Sequence, residues 1–177
     1  MTQKSTSVGR LAGLDISITP QFWIGCVLLT ALIAGGLALF ADLSPLSALG
    51  AGLLGALIYW ISEFLHHVGH SIAARRTGYP MTGVRLGVFL ILGTSLYPKD
   101  EGMLPAATHI RRAVGGPITS ALIGLVFLAL GAVLSGPLAG WVTGVGLLNL
   151  FWFSLGALVP LMGMTDGSTL LYWRKRL

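Results

Sequence analysis

The feature that most constrains this chain is a series of long apolar segments that carry almost no charge. The first, residues 21–41, contains no charged side chain and has the length of about 20 residues that a helix needs to cross a bilayer. Of the 177 residues, 54% are hydrophobic and 10% are charged, with a mean hydropathy of +0.83. Soluble domains carry about 25% charged residues. We therefore expect an integral membrane protein.

The apolar segments predict four membrane-spanning helices in a single polytopic domain that covers residues 1–177. The predicted spans are residues 21–41, 46–74, 117–135 and 138–159, and a short terminal helix is predicted at residues 167–173. Leu14, Ile16 and Ile18 alternate with polar residues, which predicts a short β-like segment near the N-terminus, and residues 84–92 predict another in the loop after the second helix. The predicted fold class is an all-α membrane protein with these short β-like segments. Residues 1–10 are expected to be mobile.

The basic residues lie at alternate ends of the predicted spans. They precede the first span, follow the second and close the chain, whereas the turns between spans one and two and between spans three and four have none. Since cytoplasmic loops are enriched in Lys and Arg, this predicts a multi-pass protein of a cell inner membrane with both termini cytoplasmic. The lipid bilayer is the expected partner of this surface, with Arg111 and Arg112 as headgroup anchors. The net charge of +5 is therefore a topology signal, and we expect no nucleic-acid partner.

The second predicted span contains an unusual polar cluster. It holds Glu63 and three of the chain's four histidines, His66, His67 and His70. At about 100° per residue these four positions fall within an arc of about 100° on one helix face. Ionisable side chains are costly in hydrocarbon, so such a cluster is by default a functional site. The alternative is a hydrogen-bonded polar seam that holds two helices together.

The spacing of His66 and His70 predicts a metal site. Histidines at positions i and i+4 of a helix can bind one tetrahedral zinc, as in the H-E-x-x-H motif of zinc peptidases. Asp166 follows the fourth span and is expected at a similar membrane depth, because that span runs back towards the same side. Three protein ligands would leave a fourth position open for water, as in catalytic zinc sites. Alternatively, Asp166 caps the N-terminus of the terminal helix.

The residue that would serve as general base is less clear from the sequence. The position that holds glutamate in H-E-x-x-H holds His67 here. An imidazole titrates near neutrality and is one candidate. Glu63, one helical turn earlier on the same face, is the other, although it would have to reach about 5 Å along the helix axis. Glu63 could instead hydrogen-bond His67 or orient a ligand.

These motifs resemble those of the site-2 protease family of intramembrane zinc metalloproteases. The matching residues are the segment from His66 to Tyr79 (HHVGHSIAARRTGY), Gly116-Pro117, Pro160 with Asp166-Gly167, and the opening segment from Gly13 to Pro20. The resemblance implies a zinc ion held by His66, His70 and Asp166, and cleavage of transmembrane protein or peptide substrates near the cytoplasmic side of the membrane.

This chain departs from the family pattern at two places. His67 occupies the position of the family's catalytic glutamate, and residues 157–160 (ALVP) replace its asparagine-containing N-x-x-P motif. The general base typically contributes about 10² to 10⁴ in rate. A second hypothesis is therefore a proteolytically inactive relative, a pseudoprotease that binds or regulates other membrane proteins.

Overall fold

The computed structural model describes residues 4–161 and 163–177. In chain order, its elements are β1 (Thr6–Leu11), β2 (Leu14–Ile18), α1 (Pro20–Phe40), α2 (Pro45–Arg76), β3 (Gly83–Phe89), β4 (Leu92–Leu96), α3 (Ala106–Val133), α4 (Gly136–Leu147), a π-helical segment (Leu148–Gly156) that continues α4, and α5 (Asp166–Arg174). Among the described residues, α1, α2, α3 and α4 with its π-helical continuation are long and apolar enough to cross a membrane. The predicted fold class is confirmed.

The chain divides into two compact units, and the boundary falls inside α2. The first unit contains residues up to 64 together with residues 82–96. The second contains residues 65–81 together with residues 97–177.

The first unit contains a four-stranded sheet in the order β1-β2-β3-β4. The outer pairs are antiparallel hairpins, and β2 and β3 are parallel, with Ile16 opposite Val84. Ala12 and Gly13 connect β1 to β2 with φ of 52° and 81°, as a two-residue hairpin turn requires. The expectation that residues 1–10 are mobile is wrong for β1. Its polar sequence gives no strand signal, but its backbone groups form hydrogen bonds with β2.

Small residues bring α1 against the first part of α2. A Cβ atom at Gly52 would lie 2.9 Å from the Cβ of Ala34, and one at Gly55 would lie 2.8 Å from Ile33 Cδ1. Close approach at small residues is typical of helices that pack in a bilayer. Lipid tails are as apolar as the helix surfaces, so the helices associate through close van der Waals packing. Nearby, the rings of Phe22 and Trp60 lie 4.4 Å apart between centroids.

The second unit is built around α3, which begins earlier than predicted. The sequence Gly115-Gly116-Pro117 predicted a helix start, but α3 begins at Ala106 and Pro117 lies inside it. Proline lacks the N–H that would bond the carbonyl four residues earlier, and membrane helices tolerate this where neighbouring groups satisfy the freed backbone. On one side of this segment, α2 crosses α3 closely at Gly69 and Gly115, where a Cβ on Gly115 would lie 3.0 Å from the carbonyl carbon of Gly69.

Candidate metal centre

Three side chains of the second unit converge on one point. Nε2 of His66 and Nε2 of His70 lie 3.0 Å apart. Asp166 places Oδ2 at 3.1 Å from His66 Nε2 and Oδ1 at 3.3 Å from His70 Nε2. Both imidazoles are buried and the carboxylate is 16% exposed. The i, i+4 spacing on α2 and the start of α5 therefore place the three predicted ligands together.

The distances among these atoms fit a zinc ion. Zinc bonds nitrogen and carboxylate oxygen at about 2.0–2.2 Å, so two ligands of a tetrahedral site lie about 3.3 Å apart. Within the described part of the chain, His66, His70 and Asp166 form a group that could hold a metal ion. Two nitrogens and a carboxylate are also the donor set that zinc prefers in catalytic sites.

The outer nitrogens of both rings are held by α3. Nδ1 of His70 lies 2.9 Å from the carbonyl oxygen of Arg112, and Nδ1 of His66 lies 3.1 Å from Ser120 Oγ. Two neighbours of His70 Nδ1 make opposite demands, because the Arg112 carbonyl at 2.9 Å can only accept from it and the Gly116 amide at 3.2 Å can only donate to it. The shorter contact assigns the proton to Nδ1, which then donates to the Arg112 carbonyl. The neutral ring then keeps its Nε2 lone pair, which faces the other Nε2 and the carboxylate. Lone pairs on the two Nε2 atoms and the carboxylate repel one another at these distances. A cation between them, either a metal ion or added protons, removes this repulsion.

Gly116 lies against the inner side of the two rings. A Cβ at this position would overlap Nε2 of both His66 and His70, and its amide nitrogen lies 3.2 Å from His70 Nδ1. Residues 112, 116 and 120 follow one another at intervals of four on α3, so they share one face of the helix. On this face, the Arg112 carbonyl contacts His70, the Ser120 hydroxyl contacts His66, and the missing side chain of Gly116 leaves room for both rings.

Asp166 is available to the histidines because another residue caps α5. Thr165 is the N-cap, and its Oγ1 accepts a hydrogen bond from the amide of Ser168. Asp166 is the first residue of the helix, so the alternative of Asp166 as the cap is wrong. Burial raises the pKa of Asp166, but hydrogen bonds from the protonated forms of His66 and His70 lower it by more, and the net pKa is below the usual range for a carboxyl. The carboxyl is therefore ionised at neutral pH, as a metal ligand must be.

One solved structure and one protein sequence are similar to this chain. No family model matches the chain. The solved structure of the Site-2 Protease from Methanocaldococcus jannaschii has the same fold, with a TM-score of 0.69 and 22% identity, and the alignment covers 95% of this chain and 70% of that chain. A predicted zinc metalloprotease from Synechocystis sp. is 27% identical over 165 residues, which are 92% of this chain and 42% of the relative. The chain therefore has the fold of a site-2 protease. It spans less than half the length of the Synechocystis relative.

The two candidates for general base are in different surroundings. His67 is buried, and its ring centroid lies 5.7 Å from that of His66 and 5.6 Å from that of His70. Glu63 belongs to the first unit, where its carboxylate accepts a hydrogen bond from the backbone amide of Gly93. The carboxylate of Glu63 therefore has a structural bond to β4, and His67 lies beside the two histidines of the site.

Sequence reasoning missed the residues of α3 that surround the site. Ser120, Gly116 and Arg112 carry the contacts described above, and the ring of Phe153 in the π-helical segment lies 6.1 Å from that of His66. A signal was present, since Ser120 and Arg112 are polar residues in an apolar span and lie on one helix face. Predicting their partners would have required the packing of α3 against α2.

Arg112 is buried, with 4% of its surface exposed. Its guanidinium contacts both oxygens of Glu101, at 2.9 Å from Nη1 to Oε2 and 2.6 Å from Nη2 to Oε1. The prediction that Arg112 is a headgroup anchor is therefore wrong. The neighbouring Arg111 is exposed.

Proposed function

We propose that this chain is a zinc-dependent intramembrane protease that hydrolyses transmembrane peptide segments. The observation that carries the proposal is the convergence of His66, His70 and Asp166 at tetrahedral spacing, with both outer ring nitrogens held by α3. The site-2 protease fold and the zinc metalloprotease relative support the same reaction class. The spans and the distribution of basic residues support an inner membrane as the location of the proposed reaction, near its cytoplasmic side.

The residues of the site have separate roles in this proposal. A zinc ion held there would polarise the scissile carbonyl and activate water. His66, His70 and Asp166 hold the ion, while Ser120 and the Arg112 carbonyl fix the orientation of the rings. His67 occupies the position after the first ligand and is the proposed general base, because a neutral imidazole has one nitrogen that accepts a proton.

A second candidate function has a specific observation in its favour. Glu63, the other candidate base, is held by the amide of Gly93, and the usual glutamate position is His67. Without an effective base, hydrolysis would be slower by about 10² to 10⁴. The chain would then be a metal-binding pseudoprotease that recognises transmembrane segments without cutting them.

Metal analysis of the purified protein tests the site. We expect about one equivalent of zinc per chain for the wild type, and a large loss in His66→Ala and Asp166→Ala because each substitution removes a ligand. Asp100→Ala removes an exposed carboxylate from a loop and serves as the matched control. Zinc bound equally by the wild type and by both ligand variants would refute the proposed ligands.

Cleavage of a single-span substrate in reconstituted vesicles separates the two functions. The protease proposal expects a product from zinc-loaded wild type and a strong reduction in His67→Ala. The pseudoprotease expects no product from wild type and a gain of product in His67→Glu, which restores the carboxylate base.

A further inference from the structure

The side chain of Arg112 joins two segments of the second unit that are distant in sequence. Besides the paired contact with Glu101, Nη2 donates a hydrogen bond to the carbonyl oxygen of Tyr79 at 2.7 Å. The guanidinium carbon also lies 4.2 Å from the centre of the Tyr97 ring, within the range of a cation–π interaction. One guanidinium thus holds the turn that follows α2 and the loop that precedes α3.

The backbone of the same residue contacts the metal centre. The Arg112 carbonyl accepts the hydrogen bond from His70 Nδ1 at 2.9 Å. In a regular helix this carbonyl accepts from the amide of Gly116, and here that amide also lies 3.2 Å from His70 Nδ1. The next carbonyl, that of Ala113, lacks its usual donor because residue 117 is proline. The Arg112 carbonyl therefore lies next to a carbonyl that has lost its helical hydrogen bond.

We propose that the Arg112–Glu101 pair is a positioning device for the metal ligand His70. The paired contact fixes the start of α3, and this holds the Arg112 carbonyl where it accepts from Nδ1 and directs Nε2 at the metal. A guanidinium suits this role because it forms two parallel hydrogen bonds to a carboxylate and keeps a further donor for Tyr79. The inference rests on the proposed zinc site, and neither residue is proposed to touch the metal or the substrate.

Glu101→Gln and Arg112→Gln test the pair, and Arg111→Gln is the matched control. Arg111 is the next residue of α3, is exposed, and makes no ion pair within the described chain. We expect zinc affinity to fall by about tenfold in both variants, since residues behind a ligand typically contribute 10- to 100-fold to metal affinity. The double variant should be no weaker than Arg112→Gln alone, and Arg111→Gln should match the wild type.

The visible spectrum of the cobalt-substituted protein distinguishes positioning from a loss of stability. Cobalt(II) absorption depends on the ligand geometry, so a tilted His70 should change the spectrum in Glu101→Gln but not in Arg111→Gln. Unchanged zinc affinity and an unchanged cobalt spectrum in a folded Glu101→Gln protein would overturn the proposal.

A measurement on metal-free protein keeps this inference separate from the proposed function. In protein labelled with ¹⁵N-histidine, we expect the His70 Nδ1–H form to dominate in the wild type and to lose population in Glu101→Gln. Failure of the wild type to bind zinc would refute the proposed function. The His70 signal of the metal-free protein would then still decide whether the Arg112–Glu101 pair positions His70. An identical His70 signal in wild type and Glu101→Gln would overturn the positioning role.

Discussion

Gly116 is the residue of α3 that leaves space for the two imidazoles. A methyl group on this residue would overlap Nε2 of both His66 and His70, the atoms that face the proposed zinc. The rings cannot both retreat, because their Nδ1 atoms are held by Ser120 and Arg112. The absence of a side chain at residue 116 is therefore part of the site.

We expect Gly116→Ala to weaken zinc binding by about 10- to 100-fold, the range found when the surroundings of ligands are disturbed. Competition with a chelator measures this affinity. Gly50→Ala is the control, since a Cβ at Gly50 of α2 meets no atom within 4 Å. Equal zinc affinity in the two variants would show that the rings can move away from residue 116.

We expect the Glu101–Arg112 pair to make a pH-dependent contribution to stability. Hydrogen bonds from the Arg112 guanidinium lower the pKa of Glu101 below its usual value. A carboxyl whose pKa is lower in the folded state stabilises the fold above its unfolded pKa of about 4.3, and this contribution is lost as the pH falls through the folded pKa.

We therefore expect the advantage of the wild type over Glu101→Gln in thermal stability to be complete near pH 6 and to shrink as the pH falls below about 4.3. Thermal unfolding in detergent at a series of pH values measures the difference. Asp166 also makes stability depend on pH, but it is present in the wild type and in Glu101→Gln, so its effect cancels in the difference between the two proteins. A difference that grows on acidification would contradict the expected sign.

At the scale of elements, α5 holds Asp166 at one end and an aromatic contact at the other. Thr165 caps the N-terminus of α5, and near its C-terminus Trp173 stacks on His109 of α3, with centroids 4.0 Å apart and an interplanar angle of 3°. A helix of nine residues is too short to be stable alone, so its position depends on such contacts. The stack therefore helps to hold the carboxylate at the candidate metal centre.

Trp173→Ala should lower zinc affinity by up to about tenfold, because an aromatic pair contributes about 0.5–1.5 kcal/mol. Isothermal titration with zinc in detergent measures the change. Leu171→Ala, at an exposed position of the same helix, should leave the affinity unchanged. An effect of equal size in both variants would indicate general loosening of α5 instead.

Elements were predictable where their signal is local. The four apolar helices follow from length and composition, and the alternation of Leu14, Ile16 and Ile18 indicated β2. The strand β1 has no such signal, since its stability comes from pairing with β2. The start of α3 was misplaced because Pro117 is typical of a helix start, and only its tertiary neighbours allow it inside the helix.

At the scale of the whole molecule, the basic residues predict the orientation in the membrane. If all four candidate spans cross the bilayer, both termini lie on one side and the turns at Ser44 and Ser135 lie on the other. The positive-inside bias predicts that this shared side is the cytoplasm.

Single-cysteine labelling in intact cells tests this orientation. Cys26 is the chain's one cysteine, so Cys26→Ser provides the background. We expect an impermeant thiol reagent to label Ser44→Cys and Ser135→Cys from outside, and to label Ser5→Cys and Lys175→Cys after the membrane is opened. Labelling of either terminal position in intact cells would refute the predicted orientation.

The sequence by itself determined the class of this protein and the pair of histidines, because apolar length and helical spacing are local properties. It also indicated Asp166, through the depth at which the fourth span ends. Only the tertiary structure decided that Thr165 caps α5 and leaves Asp166 to face the histidines, that Glu63 bonds to Gly93, and that Arg112, Gly116 and Ser120 surround the rings. These contacts join residues far apart in the chain, and their free energy depends on packing that spacing along one helix does not encode.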